Sequence, residues 1–108
     1  MQKKFNAWLI TKDINQIDSK FVELDSNEYL NNEVIIKVQN SALNYKDALA
    51  LTGSAPVVRS FPLISGIDMS GIVIESKSNL LKDGDRVFAT GWGLGELHNG
   101  GLASYASF

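Results

Sequence analysis

The sequence predicts a mainly β domain, a small and partly open β-barrel or a sandwich, with one or two short helices. Two observations favour this fold class. Five to seven short segments rich in branched and aromatic residues are separated by turn signals. In addition, no two of these predicted strands are separated by a long helix, which a parallel α/β sheet requires. At 108 residues the chain has the size of one domain.

Six segments are predicted to be strands. The strongest is Glu33–Asn40, in which four of five consecutive positions are β-branched. Phe21–Asp25 alternates apolar and polar residues, as a half-buried strand does. Asp68–Ser76 is interrupted by Gly71, which predicts a bulge or a close backbone approach. The remaining predicted strands are Lys4–Thr11, Arg86–Thr90 and Leu102–Phe108.

One short helix is predicted directly after the strongest strand. Asn44 is a favoured N-cap, and Asp47 lies three residues later, where a carboxylate meets free backbone N–H groups. Ala48–Leu51 are good helix formers, and Gly53 is placed to end the helix. The predicted loops and turns are Ser26–Asn32, Ser54–Ser60 and Lys82–Asp85.

The composition argues against nucleic acid and membrane as partners. Lys and Arg number 10 against 12 Asp and Glu, the signs are interspersed, and the net charge is −2, so the chain has no basic stripe of the kind that binds nucleic acid. The longest apolar runs, Ala7–Ile10 and Ala48–Leu51, are far shorter than the roughly 20 residues of a spanning helix. The first residues contain no apolar region of signal-peptide length. We therefore expect a cytoplasmic protein.

The chain offers few ligands for a metal ion. It contains no cysteine and one histidine, His98, so neither a disulfide framework nor a thiolate zinc site can form. We therefore expect no metal, and in the absence of a nearby base we interpret His98 as a loop hydrogen bonder.

The glycine-rich loop Gly91–Gly101 invites comparison with the G-x-G-x-x-G dinucleotide fingerprint. Glu96 occupies the place of the third glycine when the count starts at Gly91, and His98 does when it starts at Gly93. No amphipathic helix follows, although the fingerprint requires one. We interpret this segment as a loop that shapes a pocket or turns a barrel corner.

Four polar residues stand at junctions where a scaffold can present side chains to a ligand: Asn44, Tyr45, Asp47 and Asp68. Each also has an ordinary structural interpretation. Asp68 resembles a turn aspartate that bonds its own backbone, Asn44 and Asp47 a helix cap, and Tyr45 a packed ring. Lys46 and Arg59 are interpreted as surface charges. The residues alone therefore indicate a β-rich domain with a candidate polar cleft.

Four motifs in order resemble a known family: LNYKDALALTG (Leu43–Gly53), FPLISGIDMSGIV (Phe61–Val73), DGDRV (Asp83–Val87) and TGWGLGELHNGG (Thr90–Gly101). They are similar to the N-terminal, GroES-like domain of medium-chain dehydrogenases/reductases, and in particular to the zinc-independent quinone-oxidoreductase-like branch with the acryloyl-CoA reductases. The resemblance covers essentially the whole chain and implies a GroES-like partly open β-barrel over residues 1–108.

The resemblance also implies the absence of zinc. Zinc-containing members carry Cys-His at the start of the short helix and Gly-His-Glu before the glycine-containing strand. The corresponding positions here are Asn44 and Tyr45, and then Gly66, Ile67 and Asp68.

The family implies a two-domain reductase whose Rossmann domain, which binds most of the NADPH, is absent from this chain. Hydride would pass from the nicotinamide to the β-carbon of an activated alkene, such as an α,β-unsaturated carbonyl compound or an acryloyl-CoA-like thioester, or to a quinone. Tyr45, Asp68 and Asn44 would be the catalytic residues, and Tyr45, Asn44 and Asp47 would face the cofactor.

Two further expectations concern assembly. The parent enzyme would be a homodimer, whereas the isolated chain would be inactive and would self-associate through apolar surface meant for its missing Rossmann domain. An alternative is a stand-alone β-barrel of chaperonin-10-like shape that binds or assembles without redox activity.

Overall fold

The computed structural model describes residues 3–91 and 93–108, which form seven strands and two short helices. In chain order these elements are β1 Lys4–Asp13, β2 Gln16–Asp25, α1 Ser26–Tyr29, β3 Val34–Ser41, α2 Tyr45–Thr52, β4 Leu63–Ile64, β5 Asp68–Ser76, β6 Arg86–Thr90 and β7 Tyr105–Ser107. Neither helix in this part of the chain is long and apolar enough to cross a bilayer.

The strands form two antiparallel sheets that do not close on each other. One has the order β2-β1-β4 and the other the order β6-β5-β3-β7. The segment before β7 joins them, since Trp8 N donates to Leu102 O at 2.9 Å, while Val38 N donates to Ser104 O at 3.0 Å. This arrangement confirms the predicted mainly β, partly open barrel.

The core consists of three groups of buried side chains. The first lies around β1 and the start of β3, the second beneath α2, and the third between β3 and β5. The buried members are Phe5, Ala7, Leu30, Ile35 and Ile64; then Ile10, Ala50, Val58 and Leu63; and then Val34, Ile36, Met69 and Val73. The second group seats α2 against the barrel, which fixes the position of the helix N-terminus.

Most predicted elements are confirmed. The bounds of β5 and β6 agree with the sequence prediction, and those of β1 and β3 differ by at most two residues. Strand β2 begins at Gln16, earlier than predicted, because Asp13 pairs with Gln16 across a two-residue turn. Ile14 adopts φ 56° in that turn, and no glycine marks it in the sequence, so the usual hairpin signal is missing.

Two local predictions were wrong, and one strand was missed. The predicted loop Ser26–Asn32 contains α1, because the Asp25 carboxylate accepts from Asn27 N at 2.8 Å and starts a helical turn. Strand β4 was not predicted; its two residues pair with β1. The predicted strand Leu102–Phe108 is regular only over Tyr105–Ser107, because the residues before it cross between the two sheets.

Candidate active site

Asn44 occupies the N-cap position of α2, as predicted. Its backbone is extended, with φ −108° and ψ 167°, and its N–H donates to Asp47 Oδ2 at 2.9 Å. The helix ends at Gly53 in the left-handed conformation. The Asn44 side chain also reaches beyond the helix, because its amide Nδ2 donates to Asp68 Oδ2 at 2.8 Å.

Asp68 is the first residue of β5, and two other elements hold its carboxylate. Oδ2 accepts from Asn44 at the start of α2, and Oδ1 accepts from the hydroxyl of Thr90 at the end of β6. Asp68 and Thr90 are also paired across the sheet. The sequence analysis interpreted Asp68 as a turn aspartate that bonds its own backbone. The bonds described here instead come from side chains that are distant in sequence.

Asp47 is almost completely buried, with 2% of its surface exposed. Its Oδ2 accepts from Asn44 N and, at 3.4 Å, from Asn44 Nδ2. Its Oδ1 accepts from Ile67 N at 3.1 Å. Asp47 thus caps the helix as predicted and in addition bonds the residue directly before Asp68.

Tyr45 lies on the surface directly after Asn44 and is 80% exposed. This exposure excludes the alternative in which the ring simply packs in the core. Leu43, on the other side of Asn44, is also exposed. The polar cluster of Asn44, Asp47 and Asp68 is therefore flanked by apolar surface.

A cavity of about 300 Å³ opens beside Asp68. Its lining is formed by the end of β3 and by the adjoining faces of β5 and β6: Asn40, Ala42, Asp68, Met69, Ser70, Phe88, Ala89 and Thr90. Phe88 is 79% exposed and presents its ring at this surface. Of the four predicted site residues, only Asp68 is in this lining. Hydrogen bonds bring Asn44, Asp47 and Asp68 together, and Tyr45 lies beside them on the surface.

Thr90 is the residue of this cluster that the sequence reasoning missed. It ends β6 and comes directly before the glycine-rich loop. The available signal was its position where a strand meets a loop, because binding residues are often found on loops that a rigid scaffold positions. Its pairing with Asp68 could be recognised only from the register of β5 and β6.

The glycine-rich loop packs against the turn that leads into β5. A Cβ at Gly100 would overlap Gly66 O, and one at Gly101 would overlap the Met69 side chain. The loop also contacts α2, because Glu96 forms an ion pair with Lys46, a residue that was interpreted as a surface charge. The backbone carbonyl of Glu96 accepts from Arg59 N. Trp92, which belongs to the predicted loop, lies outside the described residues.

A second cavity, of about 520 Å³, lies between α1, the chain end and the glycine-rich loop. His98 and Leu94 belong to its lining, which confirms that the loop shapes a pocket. Tyr29, also in the lining, has a raised pKa, because burial disfavours the phenolate and Glu28 adds a repulsive negative charge. Within residues 3–91 and 93–108 no three His, Asp or Glu side chains are grouped to hold a metal ion; the expected absence of a metal stays a prediction.

The fold is that of a GroES-like domain. The alcohol dehydrogenase GroES-like domain family matches residues 30–108, and the chain belongs to it and so to the medium-chain dehydrogenase/reductase superfamily. The resemblance stated from the motifs is confirmed.

Three relatives show the similarity in detail. The probable acrylyl-CoA reductase AcuI of Escherichia coli is 47% identical over 83 residues, covering 77% of this chain and 26% of that protein. YhfP of Bacillus subtilis, whose name places it among the quinone oxidoreductases, is 36% identical over 107 residues, covering 99% and 32%; its crystal structure, with NAD bound, superposes with a TM-score of 0.90. The yhdH oxidoreductase of Salmonella enterica, crystallised with NADP, gives a TM-score of 0.89 at 38% identity, covering 94% and 32%. The chain thus spans about a third or less of each relative.

Proposed function

We propose that this chain forms the substrate-side wall of a nicotinamide-dependent reductase whose dinucleotide-binding domain lies outside these residues. The observation that carries the proposal is the Asn44 carboxamide, held against Asp68 directly beside the exposed Tyr45. The names of the relatives support an oxidoreductase that acts on an activated alkene conjugated to a carbonyl, such as an acrylyl-CoA-like thioester, or on a quinone.

The residues at this surface suit the nicotinamide end of the cofactor. The Tyr45 ring is exposed and flat, and the Asp68 carboxylate has further lone pairs that could accept from the N–H groups of a carboxamide. Among the described residues, no Lys or Arg lines the neighbouring cavity, so the phosphates would be bound elsewhere. When bound, NADPH supplies the hydride that the reaction requires.

The chain's own residues would orient the acceptor and stabilise its charge. As hydride adds to the β-carbon, negative charge develops on the carbonyl oxygen, and a proton must then reach the α-carbon. The exposed Tyr45 hydroxyl would donate a hydrogen bond to that oxygen, which lowers the barrier. Asn44 and Asp68 would hold the reacting groups in line. The source of the proton is Tyr45 or a water molecule.

The test uses the complete protein that carries this domain. Wild-type protein is mixed with NADPH and either acrylyl-CoA or a quinone, and oxidation of NADPH is followed by its absorbance. We expect Tyr45→Phe to lower kcat about 10- to 100-fold without changing Tm, because Tyr45 is exposed. Tyr105→Phe, which removes a hydroxyl from β7, is the control and should leave kcat unchanged. A wild-type protein that reduces neither acceptor with NADPH or NADH would contradict the proposal.

A further inference from the structure

We infer that the buried Asp47 is a positioning residue that sets the geometry of the reaction surface through Asn44 and Ile67. The inference rests on the proposed function for its kinetic consequence, but its structural part stands alone. It differs from the expectation that Asp47 faces the cofactor, since the side chain is buried and accepts from Asn44 N and Ile67 N.

The bonds around Asp47 form a closed ring. Oδ2 accepts from Asn44 N at 2.9 Å, and Asn44 Nδ2 reaches Asp68 Oδ2 at 2.8 Å. Asp68 is covalently joined to Ile67, whose N–H returns to Asp47 Oδ1 at 3.1 Å. One carboxylate therefore ties the strand-to-helix junction to the loop-to-strand junction, and it uses a different oxygen for each backbone N–H.

The ring matters because one of its junctions is intrinsically flexible. Gly66, directly before Ile67, has φ 107°. Because glycine adopts positive and negative φ with similar ease, this residue does not by itself fix the direction of the turn. The Ile67 N–H donates to Asp47, and the Ile67 carbonyl accepts from Gly91 N at 3.0 Å. Gly66 O accepts from Gly101 N at 3.1 Å. Without the Asp47 carboxylate, the Ile67 N–H would lose its acceptor, and the turn would lose its link to α2.

A buried carboxylate suits this task better than a neutral side chain. It has two oxygens that accept from several donors at once, and bonds to an ionised acceptor are the stronger kind. Asparagine has nearly the same shape, but its amide nitrogen is a donor and would face a backbone N–H at one junction. Asp47→Asn should therefore release Asn44 or Ile67 while leaving the packing intact.

The experiment is a double-mutant cycle in the complete protein, with Asp47→Asn, Asn44→Ala and the double variant measured well below their unfolding temperatures. We expect Asp47→Asn to lower kcat about 10- to 100-fold with little change in KM. The effects of the two single variants should combine to less than their product, because Asp47 acts in part through the Asn44 side chain. Unchanged kcat in Asp47→Asn, or effects that simply multiply, would overturn the inference.

Two matched controls separate positioning from stability. Asp25→Asn alters a carboxylate that caps α1, and Asp85→Asn one that accepts from Lys82 N at 3.0 Å in an exposed turn. Both bonds have the chemistry of the Asp47 bonds but lie in other elements. Both variants should keep wild-type kcat even where they lower Tm.

Hydrogen exchange tests whether Asp47 holds the two backbone N–H groups, and it requires no measurement of enzyme activity. In Asp47→Asn the amide proton of Ile67 or of Asn44 should exchange at least about tenfold faster, in line with one lost charge-assisted bond, and the core of β5 should keep its protection. Unchanged exchange at both amides would overturn the inference even if the reductase is confirmed. If these amides exchange faster in Asp47→Asn but the wild-type protein has no reductase activity, the ring of hydrogen bonds is confirmed and the proposed function is refuted. If Asp47→Asn does not fold, Asp47→Glu replaces it, and wild-type kcat in that variant would be the contradicting result.

Discussion

At the scale of single residues, Asp68 illustrates how tertiary partners change an interpretation. Its sequence context, between two glycines at a strand start, is typical of a turn aspartate. In the fold its carboxylate lies between the Asn44 amide and the Thr90 hydroxyl, which belong to two other elements. A carboxylate held on both sides has a fixed orientation, which is what a residue that positions a ligand requires.

Thr90 gives the residue-scale prediction. In the complete protein, Thr90→Val removes the donor to Asp68 Oδ1 and should lower kcat about 2- to 10-fold, as the loss of one hydrogen bond does. The free energy of unfolding should change by less than about 1 kcal/mol, because Thr90 is exposed. Thr52→Val removes a similarly exposed hydroxyl, which donates to Ala48 O at 2.7 Å, and is the control. Equal kcat in both variants would show that Thr90 does not act on Asp68.

At the scale of elements, β5 organises the larger sheet. It lies between β3 and β6 and carries Asp68 at its start. Its register against β3 shifts at two places, between Ile35 and Ile36 and between Val38 and Asn40. Gly71 is paired opposite Val38 beside one of these shifts, so the close backbone approach predicted from that glycine is confirmed.

Replacement of Gly71 should destabilise this sheet. A Cβ there would overlap Lys37 O and lie 2.8 Å from Ile36 Cγ2, and a backbone oxygen in a central strand cannot easily move. We expect Gly71→Ala to lower the free energy of unfolding by about 1–3 kcal/mol, measured by urea denaturation. Ser70→Ala, in the same strand, should change it by no more than about 0.5 kcal/mol. Equal stability of the two variants would contradict the close approach.

At the scale of the whole molecule, the domain presents apolar side chains on the face that carries the candidate site. Leu43, Tyr45 and Phe88 are exposed around the polar cluster. The relatives are about three times longer or more, which supports the proposal that a second domain completes this surface. The alternative of a stand-alone chaperonin-10-like module makes the opposite prediction, because its surface would need no covering.

The isolated 108-residue chain tests this difference. We expect no saturable binding of NADPH by calorimetry, because the proposed dinucleotide-binding domain is missing, and we expect hydrophobic-dye binding and self-association in sedimentation experiments. The complete protein should bind NADPH and should not bind the dye. Tight NADPH binding by the isolated chain, or a monodisperse monomer that ignores the dye, would contradict the two-domain proposal.

The sequence by itself determined the β class, most of the strands, the capped helix and the family. These features depend on local patterns: β-branched runs, an Asn three residues before an Asp, and a glycine at the helix end. It also indicated Asn44, Tyr45, Asp47 and Asp68 as candidates, with an ordinary structural interpretation open for each.

Only the tertiary structure decided how these residues are connected. Local patterns cannot reveal that Asn44 reaches Asp68, that Thr90 faces it, or that one buried carboxylate bonds both junctions, because these contacts join residues twenty or more positions apart. They depend on the register of β5 and β6 and on the seating of α2 against the barrel, which are set by packing throughout the core rather than by any short segment.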